Sequence, residues 1–477
     1  MTDPTPTVAC EGVSPLTGRT EPWMEDLLAD PEQCAGLIRE HGSPVNVLNL
    51  APLARNAAEL TDAARDEGVT LGVYVARKAN KAFAVVKAAD AAGLGIDVSS
   101  LAELRQCLEL GVDAGRLIVT AAVKSDALLR EAVAAGALIS LDNGDEFADI
   151  VAVATDLAVT ARVAPRMASA DPHIAPTRFG LTPASWDAAL QDAPAAVRLE
   201  GIHFHLNGYS AAERVVVLRE ALAWTDRLRE TGHPIAFIDM GGGVPMTYLE
   251  DRAQWRAFWE RLDVDRDDTL TWRGDRLGMT DPGAERPSAA VYPYWQRHVR
   301  GQWLRDILRA HTPDGTTVAE QLAARGLELR CEPGRSLLDG CGMTLASVAF
   351  RKASSDGIPL VGLHMNRTQV RSTSVDFMVD PRWVRPADAG APSPAFEGFL
   401  VGAYCVEEEL LTRRRLRFPD GVARGDIAAF VNTAGYLMHI LESASHQLPL
   451  AVNVVRDGGD WVRDGIDSPA GSGTPTG

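Results

Sequence analysis

Cysteine is scarce in this 477-residue chain: six thiols (Cys10, Cys34, Cys107, Cys331, Cys341 and Cys405) at scattered positions. No CxxC pair occurs, so neither a disulfide scaffold nor a cysteine-based zinc site is expected. No uncharged apolar run reaches the ~18 residues a membrane-spanning helix needs. The opening MTDPTPTVACEG has neither the basic cluster nor the apolar stretch of a secretory signal. Positive charge is short as well. The 47 Lys+Arg stand against 64 Asp+Glu, a net −17. This balance excludes proteins whose affinity rests on basic contacts to nucleic-acid phosphates or to anionic membrane surfaces. What remains is ordinary: 46% hydrophobic and 23% charged residues, the mix of a globular chain that buries a core. The expectation is a cytoplasmic enzyme acting on a small molecule, with no nucleic-acid, membrane or metal partner.

Order begins with a strand at Pro44–Leu50. Short apolar runs then alternate with Ala/Leu-rich helical stretches. The strand candidates are Leu71–Ala76, Gly95–Val98, Leu117–Thr120, Leu138–Leu141, Leu157–Val163, Val197–His205, Ile235–Met240 and Leu327–Glu332. Such alternation means βαβ units and a parallel sheet buried on both faces. Eight strands over 44–335, with an insertion, suit a (β/α)₈ barrel of ~250 residues. The insertion lies between Met246 and Ala324, where the chain turns Trp- and Arg-rich (QWRAFWERL, TWRGDRLG, YPYWQRHVRGQWLRDIL). It is too long for a simple βα connection. It reads as a helical excursion over the barrel mouth, serving either as a packing or dimer element or as a lid on a substrate pocket. After Arg335 short β-rich runs dominate. The expected plan is therefore α/β plus β: a barrel over 44–335, a mainly β domain from 1–43 plus 336–460, and a disordered tail at 461–477 ending in DSPAGSGTPTG.

Active sites of parallel barrels lie at the C-terminal strand ends, and polar residues gather there. Lys78 follows GVYVAR, His205 ends GIHFH, Gly241, Gly242 and Gly243 follow FIDM, and Glu332 and Arg335 end LELRCEPGR. In the second domain Cys405 sits in VGAYCVEEEL and Tyr436 in FVNTAGYLM. Each has a bland alternative. Lys78 alone reads as a solvated lysine, although neighbouring Arg77 and Lys81 would favour its neutral, nucleophilic form. The glycine triplet leaves backbone N–H groups bare for a phosphate, yet glycine also ends strands for steric reasons. Glu332 and Arg335 make an acid and a phosphate-binding guanidinium, or a local ion pair. Taken together, an imine-forming amine, a ring-stacking histidine, a phosphate turn and an acid for a ring nitrogen are the needs of pyridoxal 5'-phosphate.

The segment YVARKANKAFAVVKAADAAGLGIDVSSLAEL resembles the lysine segment of the fold-type III pyridoxal-phosphate-dependent decarboxylases of diaminopimelate, ornithine and arginine, which reads Y-A-x-K-A-N and then G-x-D-V-A-S-x-x-E-L. VTAAVKSDALLREAVAAGA, IHFHLNG, IDMGGGVP and CEPGR follow in order, and HMNRTQVR, GAYC and GDIAAFVNTAGY match in the second domain. The similarity runs from about Pro44 to Leu450. It implies a TIM-type, alanine-racemase-like barrel with a mainly β C-terminal domain. It further implies decarboxylation of an amino acid through a Schiff base on Lys78 and a carbanion that the cofactor delocalises. By the same resemblance His205 stacks on the cofactor ring, and Gly241, Gly242, Gly243 and Arg335 hold the phosphate with Tyr436. Glu332 pairs with the ring nitrogen, and Asp97, Glu103 and the core Arg162 lie on the cofactor side. Cys405 reaches into a partner's site in a head-to-tail homodimer, as a candidate proton donor. Arg371 binds a substrate carboxylate, with Asn366 and Glu407 on the substrate side.

The chain departs from the family pattern at three places. H-x-G-S-G is here His205-Leu206-Asn207-Gly208-Tyr209, so the phosphate-side serine is absent. The family's G-P-x-C and following acid become Gly402-Ala403-Tyr404-Cys405-Val406, leaving Glu407, Glu408 or Glu409 to supply the acid. Its N-D is Asn366-Arg367. The expectation is a specialised amino acid, free or attached to something larger. A racemase or epimerase using the same carbanion, or a degenerate cofactor-binding member, are the alternatives.

Overall fold

A computed structural model describes residues 8–191, 193–292, 295–373 and 376–468. The chain divides into two compact units. One comprises Leu53–Pro245 and His298–Leu337; the other takes the chain before Leu53, Met246–Arg297 and the chain from Leu338 onward.

The first unit is a closed barrel of parallel strands. These are β1 (Leu71–Ala76), β2 (Gly95–Val98), β3 (Leu117–Val119), β4 (Leu138–Leu141), β5 (Ala161–Met167), β6 (Gly201–Phe204), β7 (Phe237–Asp239) and β8 (Glu328–Cys331). Each pairs with the next, and Leu329 of β8 pairs with Leu71 of β1 to close the ring. The strands are short and mostly buried on both faces, as a helix-covered barrel requires. The sixth position is interrupted: Val197–Leu199 pairs with the start of β5, and β6 pairs with its end at Arg166↔His203.

Tyr74, Ile118, Leu138, Ala164 and Phe237, from five strands around the ring, form one interior cluster. The Arg330 guanidinium lies 3.6 Å from the Phe237 ring centroid. A Cβ at Gly95 would come within 2.2 Å of the Tyr74 ring, and one at Gly201 within 2.3 Å of Phe237. Only glycine leaves room for these rings. The outer helices start on cue: Ser100, Ser125, Asn143 and Ser210 each accept the N–H of the third helical residue, satisfying a donor that the helix itself leaves unpaired.

The second unit is mainly β. Its spine is the strand Gly342–Ala353, which pairs antiparallel with Val45–Leu48, Ile427–Val431 and Pro359–Leu363. Val45–Leu48, read from sequence as the opening of the barrel domain, therefore belongs to this sheet, where Val452–Asp457 flanks it on the other side.

The insertion divides. Its first part joins the β unit through the helix Arg252–Val264, whose Trp255, Phe258, Trp259 and Leu262 are buried. These aromatics are spent on packing, with Trp255 and Trp259 edge to face at 5.4 Å. The later helices Arg300–Leu308 and Val318–Ala324 belong to the barrel unit. The expected disordered tail begins too early: Trp461–Arg463 lie in the strand Asp460–Arg463, paired with Val452–Asp457. Residues 469–477 of that tail and 1–7 of the β domain lie outside the described residues. Among the described residues, no helix is long and apolar enough to cross a membrane.

Candidate active site

The C-terminal ends of the barrel strands surround a cavity of about 420 Å³. β1 runs into a single turn of 3₁₀ helix, Arg77–Ala79, that carries Lys78. Its Nζ donates to Asp97 Oδ2 at 2.6 Å. Asp97, the third residue of β2, is fully buried, and its other oxygen accepts the Thr120 hydroxyl. The Lys78 side chain stays 38% exposed, so the amine is both held by an acid and open to the cavity. Next to it, Glu103 accepts the Ser99 N–H at 2.6 Å. Burial pushes the Glu103 carboxyl above its usual range.

Two histidines share a face because they stand two residues apart along a strand. His205, just past β6, lines the cavity and meets Phe179 edge to face at 6.0 Å. Burial, then the charges of Lys78 and Arg166, push its pKa down to about 4, which keeps the imidazole neutral at ordinary pH. His203 is buried more deeply. Its Nδ1 lies 2.6 Å from Ser140 Oγ and accepts from Arg166 Nε at 3.3 Å. A neutral ring accepting there carries its proton on Nε2. That nitrogen faces Glu332 Oε1 at 3.6 Å, beyond hydrogen-bond distance.

Glu332, Asp239 and His203 each present one ligand-type atom within a 4.8 Å group. His203 Nε2, Asp239 Oδ2 and Glu332 Oε1 are buried and have no hydrogen-bond partner. Burial first, then the charges of Asp97 and Asp239, push the Glu332 carboxyl well above its usual range. Burial lifts Asp239 to about 7. Buried polar atoms left unpaired are costly. A cationic N–H donor entering the cavity would satisfy Glu332.

The glycine turn follows β7. Gly241 N–H donates to Asp239 Oδ1 at 2.8 Å, and Gly241 O accepts from Glu332 N at 2.9 Å. The turn is thereby fixed to both buried acids. Arg335 Nη1 donates to the Tyr209 hydroxyl at 2.7 Å.

The expected residues fall into two groups. Lys78, Asp97, Glu103, His205, Gly241, Gly242, Gly243, Glu332 and Arg335 lie in the barrel unit. Cys405, Tyr436, Arg371, Glu407 and Asn366 lie in the β unit. There, Cys405 and Glu407 are exposed on the turn after the strand Phe396–Val401. Tyr436 adopts a left-handed conformation, φ 72°. Asn366 is buried and accepts the Thr368 N–H at 3.0 Å. Arg371 donates to Asp376 Oδ1 at 3.2 Å and to Leu410 O at 2.8 Å.

One residue is misplaced by the sequence reading. Arg162 stands near the start of β5, not its end, and its guanidinium grips Glu200 in a bidentate pair at 2.9–3.1 Å. Arg166, four residues on, lines the cavity instead and donates to Asp142 Oδ1 at 2.9 Å and Thr120 O at 2.5 Å. His203, Asp239, Tyr209 and Arg214 were also passed over. The first two were readable as polar residues at alternate positions inside GIHFH and FIDM.

These features fit pyridoxal phosphate: an amine beside a buried acid, an orphaned carboxylate for a ring nitrogen, and a glycine turn backed by cations. Comparison with known proteins agrees. Residues 55–266 match the family described as pyridoxal-dependent decarboxylase, pyridoxal binding domain. Uncharacterized protein y4yA of Sinorhizobium fredii is 32% identical over 424 residues, covering 86% of this chain and 87% of its own. A diaminopimelate decarboxylase of Zymomonas mobilis is 24% identical over 442 residues, with 88% and 89% covered. Among solved structures, diaminopimelate decarboxylase from M. jannaschii in complex with L-lysine aligns at TM-score 0.69 and 18% identity over 90% of each chain.

Proposed function

The chain belongs to the fold-type III pyridoxal-dependent decarboxylase family, and from that premise we propose how its residues divide the work and what kind of substrate it takes. It is a pyridoxal-phosphate-dependent amino-acid carboxy-lyase. Bound in the cavity, the cofactor supplies an electron sink for the charge left on Cα when CO₂ departs. Lys78 is the amine that holds the cofactor, with Asp97 fixing its position. Glu332 holds a proton at the ring nitrogen, and the neutral His205 offers a flat, uncharged face. Gly241, Gly242, Gly243 and Arg335 hold the phosphate, joined by Tyr436, and Glu103 orders the Ser99 backbone. Cys405 returns the proton to Cα. The observation that carries this reading is the Lys78–Asp97 pair opening on the same cavity as the unpartnered Glu332 oxygen.

The substrate we propose is an amino acid other than free diaminopimelate or ornithine, specialised or attached to a larger group. Val406 is an exposed apolar residue where the family pattern has an acid. Of its possible replacements, Glu409 is buried and accepts the Arg367 N–H at 2.8 Å, whereas Glu407 and Glu408 are exposed, and of these two we assign Glu407 to the substrate. Arg371 and Asn366 complete the substrate side. A screen of amino acids with both CO₂ and the amine product measured is expected to find weak or no turnover of free diaminopimelate, ornithine, lysine and arginine. Efficient turnover of any of them ends the substrate proposal, and turnover without CO₂ would favour a racemase.

The working unit we propose is a head-to-tail homodimer. Cys405, on an exposed turn beside Val406, is the residue each subunit lends the other. Sedimentation is expected to give twice the chain mass; a monomer active at nanomolar concentration would rule this out. All six cysteines are free thiols, which accords with the reducing cytoplasm.

A further inference from the structure

We infer that Arg214 replaces the serine missing from His205–Tyr209, as the buried countercharge and positioning residue of the turn that binds the cofactor phosphate. The inference rests on the cofactor reading above and adds a residue to it. Arg214 lies in the first turns of the helix Ala211–Glu230, directly after that loop. It is fully buried, and its Nε has no hydrogen-bond partner. No carboxylate pairs with it among the described residues. Its guanidinium instead lies 5.0 Å from the Trp303 ring centroid and donates to three backbone carbonyls. These are Ser210 O at 3.2 Å, Gly208 O at 2.9 Å and Gly242 O at 3.1 Å. Burial pushes its pKa down to about 10, so it remains a cation at neutral pH. A buried cation without a counterion is costly, and neutral carbonyls offset only part of that cost. The charge balance points to an anion that binds beside it.

The geometry says where. In a trans peptide the C=O and the N–H point in opposite directions. Holding Gly242 O on Arg214 therefore turns the Gly243 N–H away from the guanidinium. Holding Gly208 O does the same for the Tyr209 N–H. The N–H groups of Gly242 and Gly243 have no acceptor among the described residues. Gly241 and Gly243 have φ of +65° and +75°, and alternation of this kind gathers successive N–H groups into an anion-binding concavity. A Cβ at Gly243 would lie 2.3 Å from Arg214 Nη2, so this glycine is what admits the arginine. Tyr209 closes the loop, its carbonyl accepting from Trp303 Nε1 at 2.8 Å and its hydroxyl from Arg335. Nothing here reads a ring or an amine. The site takes a phosphate monoester dianion.

The test uses full-length protein freed of cofactor with hydroxylamine. Pyridoxal phosphate, unphosphorylated pyridoxal and inorganic phosphate are the probes, with binding followed by fluorescence. Arg214→Met is expected to weaken pyridoxal phosphate binding by about 10- to 100-fold, the scale of a charge-assisted hydrogen bond, and to leave pyridoxal binding unchanged. Arg214→Lys should restore most of the preference. Inorganic phosphate should raise the melting temperature of the wild-type apoprotein and not that of Arg214→Met. Should Arg214→Met fail to fold, Arg214→Gln keeps donors for the carbonyls and drops the charge, and must show the same loss. A charge-free variant that keeps the wild-type preference for the phosphorylated form overturns the inference. A wild-type protein that binds neither pyridoxal form overturns the cofactor reading, and this inference with it.

Discussion

Lys78→Ala protein is expected to hold no cofactor colour after incubation with pyridoxal phosphate and removal of the unbound excess, and to release CO₂ at least about a thousandfold more slowly than wild type, roughly 4 kcal/mol of barrier, because the amine that holds the cofactor is gone. Lys78 stands on the turn that ends β1, with its amine 2.6 Å from a fully buried Asp97. Among the described residues, no other amine in the barrel unit has this placing. Lys124 is buried against Glu146 at 2.8 Å, and burial pushes its pKa down, but it does not line the cavity. The fold should survive, because a 38% exposed side chain contributes little packing. An absorbance titration and a ¹⁴CO₂ assay check both halves. Retained colour with retained turnover would remove Lys78 from the chemistry.

Glu332→Gln is expected to lower kcat by about 10²- to 10³-fold, the usual loss when one group aimed at developing charge is removed. Cofactor colour should persist. The apoprotein offers a second readout with a definite sign. Burial raises the Glu332 pKa in the folded chain. A raised carboxyl binds its proton more tightly when folded, so its stabilising contribution is full below the unfolded value of ~4.3 and is lost as pH rises through the folded value. Removing that ionisable group should make cofactor-free Glu332→Gln melt higher than cofactor-free wild type at neutral pH. The gap should close toward pH ~4. With cofactor bound the order should reverse, since the unpaired oxygen then has its cationic partner. Thermal melts at several pH values, with and without cofactor, decide it. Equal melting temperatures at neutral pH would mean that this carboxyl is not held in a costly state.

The barrel was legible because its strands are apolar runs ending in polar residues, and the ends are where the side chains meet. Lys78, His205 and Glu332 each follow such a run within a residue or two. β5 was misread by four residues for a physical reason. The helix Gly144–Leu157 ends on Ala158 in a left-handed conformation, φ 54°, where glycine ordinarily marks the stop. Without that mark, Leu157–Val163 reads as one strand and Arg166 falls outside it, while Arg162 was singled out by the resemblance alone. Arg214 was hidden differently. An arginine in a helix rich in Glu and Arg reads as a solvated one, and only the packing of Trp303 and Gly243 around it reveals its burial. Val45–Leu48 was assigned to the barrel domain because sequence order carries no record of partners found at residues 342–345 and 452–455.

That last pairing bears on how the chain is made. Val45–Leu48 leaves the ribosome early, but its two neighbours in the sheet emerge some three hundred and four hundred residues later. At ~5–20 residues per second, synthesis of the intervening chain takes roughly 20–80 s. The barrel can close during that wait, since its last strand ends at Cys331. An apolar edge-seeking segment must stay shielded meanwhile, which makes it the place where nascent-chain chaperones would be needed most.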